Sequence, residues 1–201
     1  MTVITLIFLL LLLGCSGQGK YEPRNGDIVF QTSLSAQSLA IQLATKSPYS
    51  HMGIVYIRNG HPFVFEAVQV VKVTPLHEWV RRGKHGHFVV KRLINAESVL
   101  TAETIQKMQA IGEKFVGRDY DVYFEWSDDR LYCSELVWKI FKRGAGVKIG
   151  RLEKLGDFDL SAPAVQAKVR ERLGKNPPLN ETVISPAEMF ASSKLGTVYE
   201  K

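Results

Sequence analysis

The sequence predicts an α+β domain in which a small antiparallel sheet packs against helices. Two observations predict this class. Strand-like segments flank a strong hairpin turn, and the chain runs from one helix through the strands to further helices without regular alternation. With 201 residues, 45% hydrophobic and 23% charged, the chain can bury one substantial core. A single folded domain over residues 26–201 is therefore expected.

The predicted strands are short runs rich in β-branched and aromatic residues. Residues 51–57 and 62–71 flank Asn59-Gly60, a dipeptide that favours a two-residue hairpin turn. Residues 27–30 form an earlier strand and residues 88–93 a later one. These segments supply the antiparallel sheet.

The predicted helices show apolar residues at helical spacing. Residues 33–46 form the first, with a serine as the candidate cap, and residues 101–116 form the second, with one apolar face. A third helix begins near Cys133, and Gly144 follows its last turn. The first turn of this helix therefore contains a thiol.

The C-terminal part of the chain combines one well-marked helix start with one stretch of little pattern. Ser185, Pro186 and Glu188 occupy the cap, first and third positions expected at a helix N-terminus. Residues 150–181 mix charges with two adjacent prolines and show only a weak helical period. This stretch is predicted to be a surface insertion.

The N-terminus is typical of a secretory signal. Residues 1–13 hold an almost unbroken apolar run that is too short to span a bilayer comfortably. Leu12-Leu13-Gly14-Cys15 resembles a bacterial lipobox. Residues 1–14 are therefore predicted to be a signal peptide that is removed, leaving lipid on Cys15. An ordinary cleaved signal and an uncleaved anchor are the alternatives.

The leader has consequences for location and charge. Residues 15–25 are polar and glycine-rich and are predicted to be a tether. Every charged side chain lies at or after Lys20, so the mature chain keeps the net charge of +6. In the bacterial cell envelope such a surface meets membrane phospholipid and wall polymers rather than nucleic acid. A merely soluble basic surface is the plainer interpretation.

Cys133 stands alone in the body of the protein once the leader is set aside. No disulfide can then form within the chain. A lone thiol is either a buried, inert residue or a reactive one. The start of a helix favours the reactive interpretation, because the partial positive charge there stabilises a thiolate and the free N–H groups can bind an oxyanion.

The hairpin supplies a partner for that thiol. If Asn59-Gly60 is the turn, paired positions sum to 119, so Gly53 faces Glu66 and His51 lies diagonally across from that carboxylate on the same face. Glu66 can then orient the His51 imidazole, which completes a thiol, a base and a polar group. A solvent-facing glutamate and a histidine at a strand edge are the alternatives.

The remaining histidines carry less information. His61 lies by the turn, and His85 and His87 lie in a basic loop. No acidic or cysteine cluster nearby completes a metal site. Neither a metal nor a cofactor is predicted.

Three segments resemble the NlpC/P60 superfamily. They are Gly26-Asp27-Ile28-Val29-Phe30, Ser50-His51-Met52-Gly53-Ile54 and Tyr132-Cys133-Ser134-Glu135-Leu136-Val137. The histidine segment precedes the cysteine segment, as in the circularly permuted YiiX/YebB-like branch of papain-like amidases. The residues from Tyr120 to Phe124 and from Ser185 to Glu188 also resemble that branch.

This resemblance implies a circularly permuted papain-like (NlpC/P60) fold and a cysteine hydrolase. Cys133 would be the nucleophile, His51 the base and acid, and Glu66 the residue that aligns the imidazole. The Cys133 N–H is expected to bind the oxyanion, with Tyr132 or Tyr120 as a further polar contact.

The resemblance leaves the substrate open. Relatives cut amide bonds in peptidoglycan peptides, and permuted members also resemble lipid acyl-transfer enzymes. The expected substrate is therefore a wall peptide, with a lipid amide or ester as the alternative. A noncatalytic envelope protein that kept the fold for binding is the second alternative.

Overall fold

The computed structural model describes residues 20–201. The predicted signal peptide and Cys15 lie outside the described residues. None of the helices in this part of the chain combines the length and the apolar character needed to cross a bilayer.

A six-stranded antiparallel sheet forms the centre of the domain. Its strands in spatial order are β4 (Val71–Pro75), β3 (His61–Ala67), β2 (His51–Arg58), β1 (Ile28–Gln31), β5 (Val89–Leu93) and β8 (Leu195–Glu200). A separate ladder pairs β6 (Glu153–Lys154) with β7 (Thr182–Val183). The predicted α+β class and the small antiparallel sheet are confirmed.

The helices lie around this sheet. They are α1 (Ser38–Thr45), α2 (Leu76–Arg82), α3 (Ala96–Val99), α4 (Ala102–Glu113), α5 (Cys133–Ile140), α6 (Pro163–Leu173) and α7 (Pro186–Phe190). Helix α5 packs on β2 and α4, and α6 packs on α1.

Successive side chains along each strand point to opposite faces of the sheet, so a hydrophobic core forms on each face. On one face, buried residues such as Phe30, Met52 and Ile54 pack with side chains from α4 and α5. On the other face a smaller cluster contains Val55 and the fully buried Trp79 of α2. Cys133 belongs to the larger cluster, so the helix that carries it is fixed by core packing.

The predicted hairpin and its register are confirmed. Arg58 pairs with His61 and Ile54 with Phe65, so paired positions sum to 119. Asn59 and Gly60 both have positive φ, 50° and 77°, as a two-residue turn of this type requires. The local turn chemistry therefore positions both strands.

The second half of the predicted hairpin was too long. Strand β3 ends at Ala67, and the apolar run continues through a tight connection into β4, which pairs back on β3. Helix α2 and strand β8 were not predicted either. A continuous β-branched sequence conceals such a connection, because the residues on both sides of it have the same character.

Two predicted helix boundaries were wrong. Helix α1 begins at Ser38 rather than Ser33, because Ser33 forms a β-bridge with Gly83. Helix α5 continues into a wider turn that ends at Gly146, whose φ is 70°. Gly144 is therefore not the residue that ends the helix. Its backbone instead lies against Met108 of α4.

Two predictions about chain organisation need correction. Residues 150–181 are not merely a surface insertion, because α6 packs on α1 and Val165 is buried. Within the predicted tether, Tyr21 stacks on Tyr199 with ring centroids 5.4 Å apart. That end of the segment therefore belongs to the folded domain.

The helix start at Ser185 is confirmed, since its side chain accepts a hydrogen bond from the Glu188 N–H.

The close approach of α4 to the end of α5 leads to a stability prediction. A Cβ added at Gly144 would lie 2.8 Å from the Met108 Cα, so Gly144→Ala forces the two backbones apart. We expect it to lower the free energy of unfolding by about 1 to 3 kcal/mol, measured by urea denaturation. At Gly196 the nearest such contact is 4.0 Å away, so Gly196→Ala should stay within about 1 kcal/mol. Equal effects of the two substitutions would contradict the packing argument.

Candidate active site

The hairpin register brings His51 and Glu66 together as predicted. His51 Nε2 lies 2.6 Å from Glu66 Oε2, in a buried hydrogen bond. Gly53 lies between them in the register, and a Cβ there would be 2.8 Å from the Phe65 carbonyl oxygen and 3.4 Å from the Glu66 Cβ. The missing side chain therefore permits the diagonal contact across the strands.

The Glu66 carboxylate is fully buried and has donors on both oxygens. Oε1 accepts a hydrogen bond from the Thr74 hydroxyl at 2.6 Å and another from the Arg82 guanidinium. Burial raises the pKa of Glu66, but the hydrogen bonds from His51 and Thr74 and the charges of His51 and Arg82 outweigh it and lower the pKa below its usual value. Glu66 therefore stays ionised.

His51 is the first residue of β2 and is held in one orientation. Its ring stacks on Trp79, with centroids 6.0 Å apart and planes inclined by 27°. Burial lowers the pKa of His51, whereas hydrogen bonds with Cys133 and Glu66 and the negative charges of both raise it to about 9. Because Glu66 occupies Nε2, the other ring nitrogen, Nδ1, is the one left for the thiol.

Cys133 is the first residue of α5 and is 2% exposed. The first N–H groups of a helix have no acceptor within the helix, so they can bind an oxyanion formed at the thiol. Two contacts fix this helix start. The Ser134 hydroxyl donates to the Ile184 carbonyl at 2.7 Å, and the Ile184 N–H donates to the Tyr132 hydroxyl at 3.0 Å.

The two tyrosines predicted as polar contacts lie in different surroundings. The Tyr132 hydroxyl is engaged by the Ile184 backbone, which indicates an anchoring role. Burial and the negative charge of Cys133 raise the pKa of Tyr120 well above its usual value. The Tyr120 phenol therefore keeps its proton and can donate a hydrogen bond beside the thiol. Because the Ile184 backbone already engages the Tyr132 hydroxyl, Tyr120 is the candidate for that contact.

An apolar cavity of about 110 Å³ has Cys133 in its wall. Helices α1 and α6 and the chain around β7 enclose it. Its aliphatic and aromatic lining comprises Ala40, Ile41, Ala44, Phe124, Leu155, Phe158, Leu160, Val165, Val169, Leu173, Val183 and Ile184. One side of the thiol therefore faces a space suited to hydrocarbon.

A second cavity, of about 550 Å³, has His51 in its wall; its surface is mixed, but most of its lining residues are polar, and it is called the polar cavity below. Tyr120, Gln37, Ile41 and Arg172 line both cavities. The reactive centre thus lies between an apolar space that contacts the sulfur and a polar space that contacts the imidazole.

Sequence reasoning missed three functional neighbours. Thr74 and Arg82 hold the Glu66 carboxylate, and Trp79 holds the imidazole. All three lie on β4 or α2, which were not predicted. The predicted residues Cys133, His51 and Glu66 are in contact, whereas His61 and His85 are exposed to solvent. Cys15 lies outside the described residues.

The chain is similar to the protein YiiX of Escherichia coli. The protein YiiX is 51% identical over 178 residues, which cover 89% of this chain and 87% of YiiX. A crystal structure of yiiX, described there as a metalloprotein, superposes with a TM-score of 0.85 at 50% identity. It covers 90% of this chain and 99% of its own.

The described residues do not form a cluster of metal ligands. Between residues 20 and 201, no group of three or more His, Cys, Asp or Glu side chains is arranged to hold a metal ion. His87 instead lies 3.4 Å from the Glu200 carboxylate.

The family model for permuted papain-like amidase enzymes, YaeF/YiiX, matches residues 22–199. That range contains all three residues of the cluster and the whole sheet except Glu200, the last residue of β8. The solved relative has the same fold, so the prediction of a permuted papain-like architecture is confirmed. The chain belongs to the YaeF/YiiX family of permuted papain-like amidases and is a cysteine hydrolase.

Proposed function

We propose that this protein hydrolyses an amide or ester bond whose acyl group is a long apolar chain, through an acyl-enzyme on Cys133. The apolar cavity beside the thiol supports this substrate class. An acyl chain that fills it removes hydrocarbon from water, which is favourable in proportion to the area buried. A polar wall peptide placed there would lose hydration without hydrogen-bond partners, at a cost.

The first half of the reaction forms the acyl-enzyme. The Cys133 sulfur attacks the carbonyl carbon, and its proton resides on His51, which Glu66 holds in the required orientation. The tetrahedral intermediate places its negative oxygen near the Cys133 N–H and the Tyr120 hydroxyl. As the carbon–nitrogen or carbon–oxygen bond breaks, His51 donates its proton to the departing amine or alcohol.

The second half regenerates the enzyme. Water enters the polar cavity vacated by the leaving group and gives a proton to His51 as its oxygen attacks the thioester. The carbon–sulfur bond then breaks, and the fatty acid leaves the apolar cavity. His51 and the thiolate recover their original charges.

We also propose that the protein is exported and anchored to a membrane of the bacterial envelope by lipid on Cys15. Such an anchor would keep the basic domain beside anionic phospholipid, close to acyl substrates. The proposal rests on the sequence of residues 1–15.

The substrate proposal predicts a dependence on acyl-chain length. We expect purified protein to cleave a dodecanoyl amide or ester faster than the acetyl analogue and to leave muropeptides intact, with Cys133→Ala inactive on all of them. Ala44 lines the apolar cavity, so Ala44→Phe should reduce kcat/KM for the dodecanoyl substrate about tenfold or more relative to the acetyl one.

Leu43→Phe provides the matched control, because Leu43 is an exposed neighbour on the same helix. It should keep the wild-type length preference. Cleavage of muropeptides but not of acyl substrates would replace this proposal by the wall-peptide function. Lack of all turnover, with lipid binding intact, would favour a noncatalytic binding protein.

The raised pKa of His51 predicts the pH above which activity is lost. His51 must carry a proton to protonate the leaving group, and its pKa is raised to about 9, so activity should persist below that pH and fall above it. Glu66→Gln removes one cause of the raised pKa and should move the alkaline limb of the activity profile toward neutral pH. The measurement is kcat/KM against pH. An unmoved limb in Glu66→Gln would show that the carboxylate does not act on His51.

The N-terminus can be tested by mass spectrometry of the membrane-bound protein from bacterial cells. A mature chain that begins at Cys15 with two or three acyl groups is expected, and Cys15→Ala should release the protein from the membrane fraction. An unmodified N-terminus beyond residue 15 would reject the lipid anchor. That result would leave the hydrolase proposal intact.

A further inference from the structure

Arg172 has an unusual position among the described arginines. It lies near the end of α6 and lines both the apolar and the polar cavity. Its Nε is buried and has no hydrogen-bond partner among residues 20–201. The nearest carboxylate oxygen, Oε1 of Glu171, is 3.9 Å from that nitrogen. By contrast, Arg92 and Arg143 each donate to a carboxylate within 3 Å.

Two further polar atoms, on residues in the wall of the polar cavity, are buried and have no hydrogen-bond partner among residues 20–201. They are Oε1 of Gln31 and Nε2 of Gln37. Most buried polar atoms in folded proteins are hydrogen-bonded, so the residues around this cavity are less completely paired within the protein than is usual, and Arg172 is the one of the three that carries a charge. Gln37 and Arg172 both lie close enough to Tyr120 to lower the pKa of its hydroxyl against the effect of burial.

The polar cavity is the space for the leaving group. His51 lines it and has to deliver a proton to the departing atom, whereas the acyl chain occupies the apolar cavity. The Arg82 charge at this cavity is already matched by Glu66. Asp119 also lines the cavity, but it is exposed to solvent. Among the arginines in the wall of the polar cavity, Arg172 is therefore the one whose positive charge is less neutralised by protein carboxylates.

We infer that Arg172 binds an anionic group, a carboxylate or a phosphate, on the leaving-group side of the substrate. This inference rests on the proposed function and narrows its substrate class to acylated, negatively charged polar heads. A guanidinium donates up to five hydrogen bonds in a planar fork that matches both anions. The segment 150–181 thus supplies a wall of the acyl cavity and a residue that selects the head group.

The experiment compares substrates that share one acyl chain and differ by a charge. The amide pair is N-dodecanoyl-glycine and N-dodecanoyl-glycinamide, and the ester pair is dodecanoyl-glycerol phosphate and dodecanoyl-glycerol. We expect the wild type to prefer the anionic member of at least one pair by about 10- to 100-fold in kcat/KM. Which pair shows the preference distinguishes carboxylate from phosphate.

Substitutions test whether Arg172 is the cause. Arg172→Gln should reduce the preference to about onefold, mainly through KM, and Arg172→Lys should retain part of it. Arg170→Gln makes the same charge change at an exposed position of the same helix and should keep the wild-type preference. Thermal unfolding of each variant checks that α6 remains folded.

The outcomes separate the two proposals. Equal cleavage of charged and neutral members by the wild type would overturn the role of Arg172 and leave the acyl hydrolase intact. A preference that survives in Arg172→Gln would also overturn it. Lack of cleavage of every acyl substrate would instead reject the proposed function on which the inference depends.

Discussion

A buried carboxylate with three donors is the interaction on which the site depends. Glu66 has no contact with solvent, and its charge is kept by the His51 ring, the Thr74 hydroxyl and the Arg82 guanidinium. An unpaired carboxylate in that position would take up a proton, because burial disfavours the ion. Strands β3 and β4 and helix α2 must therefore all be in place before the imidazole acquires its charge and its direction.

The thiol and the imidazole reach each other through packing rather than through local sequence. Helix α5 packs on β2, and the proposed nucleophile and base are the first residues of these two elements. The contacts of Ser134 and Tyr132 with Ile184 fix the helix start from the opposite side. Structural residues next to Cys133 thus determine where its sulfur lies.

Local chemistry explains what sequence reasoning could predict. Asn59-Gly60 defines its turn within two residues, and the register that follows from it places His51 and Glu66 on one face. The support of Glu66 by Arg82 could not be predicted in this way. It depends on where α2 returns across the sheet, and no periodic signal marks that contact. The wall formed by α6 was missed for a similar reason, since its apolar face is short and becomes apparent only against α1.

The sharing of residues between the two cavities has a consequence for the fate of the acyl-enzyme. In the proposed mechanism the thioester stays in the apolar space while the polar space empties and refills. Whatever nucleophile enters next meets the same His51 and Arg172 that held the departing group. Water gives a free acid, whereas a second charged amine or alcohol gives acyl exchange. The ratio of these products then depends on how well such an acceptor competes with water for one pocket.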